Sequence, residues 1–384
     1  MIVNQGAFYL LAFATVGTLL ATSLFILNED GALTTAGLRL KKIAGVFASL
    51  WLLSAFVGII LKVAQILGTN FAGAFDGTTI NSYLTQTDLG KSMLVQLIGL
   101  AIVSIAIPLF KRVLPLIILT GVALIALVAP IFQSHAAASG SHALAIGSLT
   151  VHVVALTLWV GGLFGIIAIP RSMRTTALYR FSQLALWAAI AVVVSGLATA
   201  WTRLNEKSAW GTQYSYVVIA KALLTIALLA MGYANRKSLE SRDELRLQEL
   251  SRLVGVEAMV MASVVLMGSW LSQIQPPIGD ISQLTAAQII VGQETPPPPS
   301  FINLLKLYNP DALMIALLIT AVALYIKGVS VLKSRGDSWP VGRTVAFASA
   351  IALIDFATSG GLGVYAVFSF EYHMVAHMLL GMIA

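Results

Sequence analysis

Long apolar runs separated by short polar segments make up almost the whole chain, and their lengths decide what they are. A helix needs about 20 mostly apolar residues to cross the hydrocarbon of a bilayer. Ten runs reach or approach that length: 7–27, 43–61, 93–110, 113–132, 143–169, 181–201, 216–233, 253–274, 311–326 and 345–368. An eleventh begins near Tyr372 and meets the last residue, Ala384, before it can span. The pattern predicts an all-α, polytopic membrane protein with about ten complete transmembrane helices plus a truncated eleventh. On that reading the chain is a fragment of a longer protein. The first run does not read as a signal peptide, because residues 1–6 carry no basic side chain and more spans follow.

Basic residues set the orientation. Alternate connections hold Arg39, Lys41 and Lys42; Lys111 and Arg112; Arg171, Arg174 and Arg180; Arg236, Lys237, Arg242, Arg246 and Arg252; then Lys327, Lys333, Arg335 and Arg343. That is 17 of the 23 lysines and arginines, and cytoplasmic loops are where such residues collect. The bias predicts an N-terminus outside and basic loops inside. Two features interrupt the rhythm. Residues 275–310 contain Pro276-Pro277 and the run Pro296 to Pro299, which no single helix accommodates. The expected organisation is therefore an eight-span unit over 1–275, an extracytoplasmic linker over 276–310 and a second membrane unit over 311–384. Residues 68–91 form a second excursion on the outer side.

Composition removes the competing classes. Of 384 residues, 58% are hydrophobic and 10% charged, and the mean hydropathy is +0.89. Soluble domains carry about 25% charged residues, so an ordinary soluble enzyme, a disordered chain and a nucleic-acid binder are excluded. The formal charge of +7 is a topology signal before it is a partner signal. Cysteine is absent, which excludes disulfides and thiolate metal sites. Any soft-metal chemistry must use His and Met.

Polar groups inside spans are then the candidates, since each costs at least about 2.5–3.5 kcal/mol at mid-bilayer on the insertion scale. They are Lys221, Glu257 and Asp355, with the titratable His152 and His377. Lys221 is near enough to a helix end to snorkel, and Glu257 is close enough to Arg252 for an ion pair. Asp355 falls about the middle of its run and should face protein or water. All five histidines, His135, His142, His152, His373 and His377, belong to outer loops or outer halves of spans. His373, Met374, His377 and Met378 share a face about 140° wide at helical spacing. Two imidazoles and two thioethers suit Cu(I) better than a hard ion. Blander readings stand beside this one: an interhelical hydrogen bond for His152, exposed loop positions for His135 and His142, and chance for the His-Met cluster; Met261 and Met267, with no His near them in sequence, are read as packing.

The stretch 147–274 resembles the copper resistance protein D (CopD) family. It does so through "HVVALTLWVGGLF" (His152, Trp159, Gly161, Gly162), "YRFSQLALWAAIAVVVSGLATA", "TQYSYVVIAKALL" around Lys221, Asn235-Arg236 and Glu257. After the linker, "LKSRGDSWPVGR" and "FSFEYHMVAHMLLGMIA" resemble the opening of CtaG-type cytochrome c oxidase assembly factors, whose signature is a His-Met pair repeated one turn later. The join looks like a fusion known from actinobacteria. The resemblance implies copper handling at a bacterial cytoplasmic membrane: uptake or passage in the first unit, and delivery toward oxidase assembly in the second. It also implies extracytoplasmic copper-binding proteins and oxidase subunits as partners, beside membrane lipid and the copper ion. No nucleotide-binding or His-Glu-x-x-His motif is present, so no enzymatic activity is expected. Two other functions fit the same residues. One is a haem protein with His152 and His377 as axial ligands. The other is a metal-free scaffold.

Overall fold

The computed structural model describes residues 2–28, 30–133, 142–204, 207–240, 244–272, 274 and 285–382, without the side chains of residues 2, 142, 235, 236, 238–240, 244–255, 257, 258 and 289. The described chain is helical with no strand. In order the helices are α1 (Ile2–Leu20), α2 (Thr35–Leu67), α3 (Phe71–Ala74), α4 (Gly77–Gln86), α5 (Asp88–Ala106), α6 (Val113–Val128), α7 (His142–Ala168) and α8 (Arg174–Arg203). They continue with α9 (Gln213–Glu240), α10 (Glu244–Leu271), α11 (Ala286–Ile290), α12 (Phe301–Lys306), α13 (Ala312–Ser334), α14 (Val341–Thr358), α15 (Gly361–Ala366) and α16 (Phe370–Met382). Among the described residues nine helices are long and apolar enough to cross a membrane, and α10 adds the shorter apolar stretch Met259–Leu271. Contacts divide the chain into two compact units. The first is Met1–Ser134, His152–Val194 and Leu204–Gly279; the second is His135–Val151, Ser195–Arg203 and Asp280–Ala384.

In the first unit α1 is the central element. Phe13, Val16, Leu19 and Phe25 on and just beyond it are almost fully buried. They pack into one core with Trp51, Leu100, Leu116, Trp159 and Met261. Glycine sets the approach of α1 to α7. A Cβ on Gly17 would collide with the carbonyl of Gly161, and one on Gly165 with the carbonyl of Gly17. Backbones that close need small residues on both helices.

Beyond Leu20, α1 widens into a π-helical turn, Ala21–Phe25, and its last carbonyls need outside donors. Asn28 Nδ2 donates to Thr22 O at 3.0 Å, and Arg180 donates to Leu24 O at 3.1 Å. The cluster Arg39, Lys41 and Lys42 is not a loop, as the hydropathy pattern implied. It belongs to α2, whose 33 residues start at Thr35. The Lys41 ammonium is turned inward, donating to the carbonyls of Pro108 and Phe110 at 2.9 Å each. Those carbonyls have no helical partner beyond the end of α5, so the charge is consumed locally.

In the second unit the run 345–368 is not one helix. α14 stops at Thr358, and α15 starts afresh at Gly361. Asn309 N donates to Ser359 O at 2.8 Å, filling an acceptor the break exposes. Gly361 lies against the Leu304 backbone where a Cβ would not fit. The Gly360-Gly361 pair therefore serves the break rather than a continuous packing face. Asp355 moves with it: it sits in the last turn of α14, not mid-span. Its carboxylate accepts from Tyr308 Oη at 3.1 Å, so it has the polar partner its cost demands. Burial, reinforced by that carboxylate, raises the Tyr308 phenol above its ordinary pKa. Asp311 caps α13 by accepting from the backbone N–H groups of Leu313 and Met314 at 2.9 and 3.1 Å.

Candidate metal centre

Two places gather the candidate side chains, one in each unit. The first is a cavity of about 20 Å3, room for one water-sized occupant. Three helices line it with one stripe each: His152, Leu156 and Trp159 from α7; Lys221, Thr225 and Leu228 from α9; Met261 and Val264 from α10. Spacings of four and seven residues on α7 and α9, and of three on α10, keep each set on one helix face. Val192 of α8 closes the wall. His152 Nδ1 lies 3.1 Å from the Val192 carbonyl. A carbonyl only accepts, so Nδ1 carries the proton in this bond. This is the interhelical hydrogen bond that the sequence leaves open.

Sequence reasoning treated Met261 and Lys221 too simply. Met261 is 2% exposed, yet it lines the same cavity as His152 instead of packing apart from it. Lys221 also lines that wall, and its ammonium points across to α10. A Cβ on Gly268 would lie 3.4 Å from Nζ. No hydrogen bond or ion pair to this ammonium is found among the described residues. The stripe spacing on each helix was readable from sequence. The meeting of three stripes was not.

The second place is α16. His373 and His377 face one another one turn apart, with ring centroids 4.6 Å apart and planes at 75°. Both rings are exposed, as are Met374 and Met378. The opposite face is the packed one, where Ala376, Tyr372 and Leu379 meet Ala357 and Leu362. Packing on one side thus presents the His-Met donors on the other. Among the described residues no three His, Cys, Asp or Glu side chains gather. Any metal here would have to draw on thioethers to complete its ligands, and that selects a soft ion. His135 and the side chains of His142 and Glu257 lie outside the described residues.

Fold and composition define a multi-pass helical membrane protein. Three family models then match successive parts of it: the copper resistance protein D-like N-terminal domain at residues 1–144, copper resistance protein D at 175–271, and the cytochrome c oxidase caa3 assembly factor (CtaG) at 323–384. These are the two families of the resemblance, in the same order. The first match also extends the copper-resistance likeness over four spans that carried no diagnostic motif. The matched families are those of copper resistance and oxidase assembly. Uncharacterized proteins of Mycobacterium bovis and Mycobacterium tuberculosis are each 23% identical over 365 residues, covering 92% of this chain and 52% of their own length. One from Mycobacterium leprae is 32% identical over 100 residues, 26% of this chain and 15% of that protein. The chain spans about half the length of the first two relatives. No solved structure matches.

Proposed function

We propose that this chain carries copper at a bacterial cytoplasmic membrane as a non-enzymatic transporter or chaperone, and that α16 offers the ion toward cytochrome c oxidase assembly. The observation that carries the reading is the pair His373 and His377, held 4.6 Å apart beside Met374 and Met378 on the unpacked face of α16. Cu(I) is the ion this donor set favours, because thioether sulfur is soft and imidazole is tolerant. Copper is cargo here, so exposure of the donors is useful: an ion to be handed on has to be reachable by the next ligand set. The matched families supply the direction of the argument from resistance, over residues 1–271, to assembly, over 323–384.

Purified protein from copper-supplied cells should contain stoichiometric copper by elemental analysis and show no Soret absorption. A Soret band with little copper would replace this reading by a haem protein. The orientation is tested separately, helped by the absence of native cysteine. Single cysteines at Thr85 and Ser300 should react with an impermeant thiol reagent in intact cells, while one at Ser334 should react only after lysis. The reversed pattern would put the basic loops outside.

A further inference from the structure

Residues 68–87 join α2 to α5 without spanning, and their two short helices treat their surroundings in opposite ways. α4 is a water-facing helix. Thr78, Asn81 and Thr85 stand exposed at spacings of three and four, while Ile80, Tyr83 and Leu84 join one cluster with Ile59, Ile60 and Val63 of α2. α3 contributes only Ala74 to that cluster. Its two phenylalanines, Phe71 and Phe75, are 44% and 61% exposed and stack on each other, ring centroids 6.4 Å apart and planes at 18°. Just before them, Ile66 and Leu67 on the last turn of α2 are 60% and 55% exposed. The chain is fixed on both sides of the pair. Gly68 ends α2 in the left-handed region at φ 64°, Asn70 caps α3 by accepting from Gly73 N at 2.8 Å, and Asp76 caps α4 by accepting from Thr79 N at 2.8 Å.

Depth along α2 decides what the exposed pair meets. Lys42 and Lys62 bracket the uncharged length of this helix, and the rise between them is about 30 Å, the thickness of a bilayer's hydrocarbon. Ile66 lies about 6 Å beyond Lys62, inside a headgroup layer that adds roughly 5–7 Å on each side. The turn at Gly68 stops the chain from climbing further. Large apolar side chains exposed at that level meet the boundary of headgroups and acyl chains, where interfacial elements seat theirs. We propose that α3 is an interfacial membrane anchor. Phe71 and Phe75 insert into the leaflet at this end of α2, and the phospholipid surface holds residues 68–87 with the polar stripe of α4 turned to water. The inference is independent of the copper reading.

The test uses the full chain in nanodiscs of phosphatidylcholine and phosphatidylglycerol, and the absence of native cysteine makes single labels simple. Nitroxides on Phe71→Cys and Phe75→Cys should collide more with oxygen than with a water-soluble nickel chelate, and one on Thr85→Cys should do the reverse. Nickel access at 71 and 75 equal to that at 85 would place the pair in water and overturn the inference. Shielding from both reagents would overturn it too, by marking a surface covered by protein. Hydrogen exchange gives a second readout. Phe71→Ser/Phe75→Ser should speed exchange across residues 68–76 at least about tenfold, while Phe71→Leu/Phe75→Leu, which keeps apolar side chains without the ring stack, should exchange like wild type. No change in the serine variant, or equal speeding in the leucine variant, would mean that lipid does not hold the segment. Both double variants should keep the wild-type melting temperature, because the rings lie outside the core; a lowered melt in both would mark the pair as part of the fold's own packing and count against an anchor.

Discussion

Gly17→Leu should prevent the first unit from assembling. The substitution places a branched side chain where α1 and α7 touch through their backbones, with the Gly161 carbonyl in the path of the first added carbon. A flexible neighbour could step aside, but a helix carbonyl moves only with its helix. The cost should therefore exceed the roughly 1–3 kcal/mol of ordinary overpacking. It cannot be relieved by shifting α1, because Phe13, Val16 and Leu19 are buried against the rest of the core. Gly121→Leu in α6 is the control, since a Cβ there meets nothing within 4 Å. In detergent, the Gly121 variant should elute as a single sharp peak, and the Gly17 variant should aggregate or be degraded before purification. Equal elution and equal melting of the two would mean that the α1–α7 crossing is looser than the glycines indicate.

Hydropathy carried most of the fold because membrane spans are written into uninterrupted stretches of sequence. What it could not show was how a stretch is cut. Residues 345–368 read as one mostly apolar run, yet the helix ends at Thr358 because Asn309 and the Leu304 backbone take up the space and the hydrogen bonds around Gly360 and Gly361. Those partners come from before the preceding helix, so no local window contains them. Lys41 misled for the converse reason. Charge marked it as loop, but carbonyls at the end of α5 let a helix carry it into a buried position.

The candidate sites divide the same way. The α16 cluster was legible because a four-residue spacing on one helix is enough to bring two imidazoles together. The His152 cavity draws on α7, α8, α9 and α10, so Met261 looked like packing and Lys221 like a snorkelling side chain. Only the fold brings those two beside His152.

The central claim is that α16 binds copper through its unpacked face, and removing imidazoles from that face should have the largest functional effect. Two histidines and two thioethers are all the donors this face presents, so the loss of either ring leaves Cu(I) with a single nitrogen. Thioethers alone are weaker ligands at these positions, and no third His, Cys, Asp or Glu gathers nearby among the described residues to replace what is lost. His377→Ala and His373→Ala should each weaken the site by at least about 100-fold, roughly 2.7 kcal/mol. Tyr372→Phe, on the packed face of the same helix, should leave binding unchanged. The deciding measurement is a Cu(I) competition titration of the full chain against these three variants, with folding checked by thermal melt. The account predicts steep loss for both histidine variants and wild-type affinity for Tyr372→Phe; equal affinity in all of them, with all folded, would contradict it.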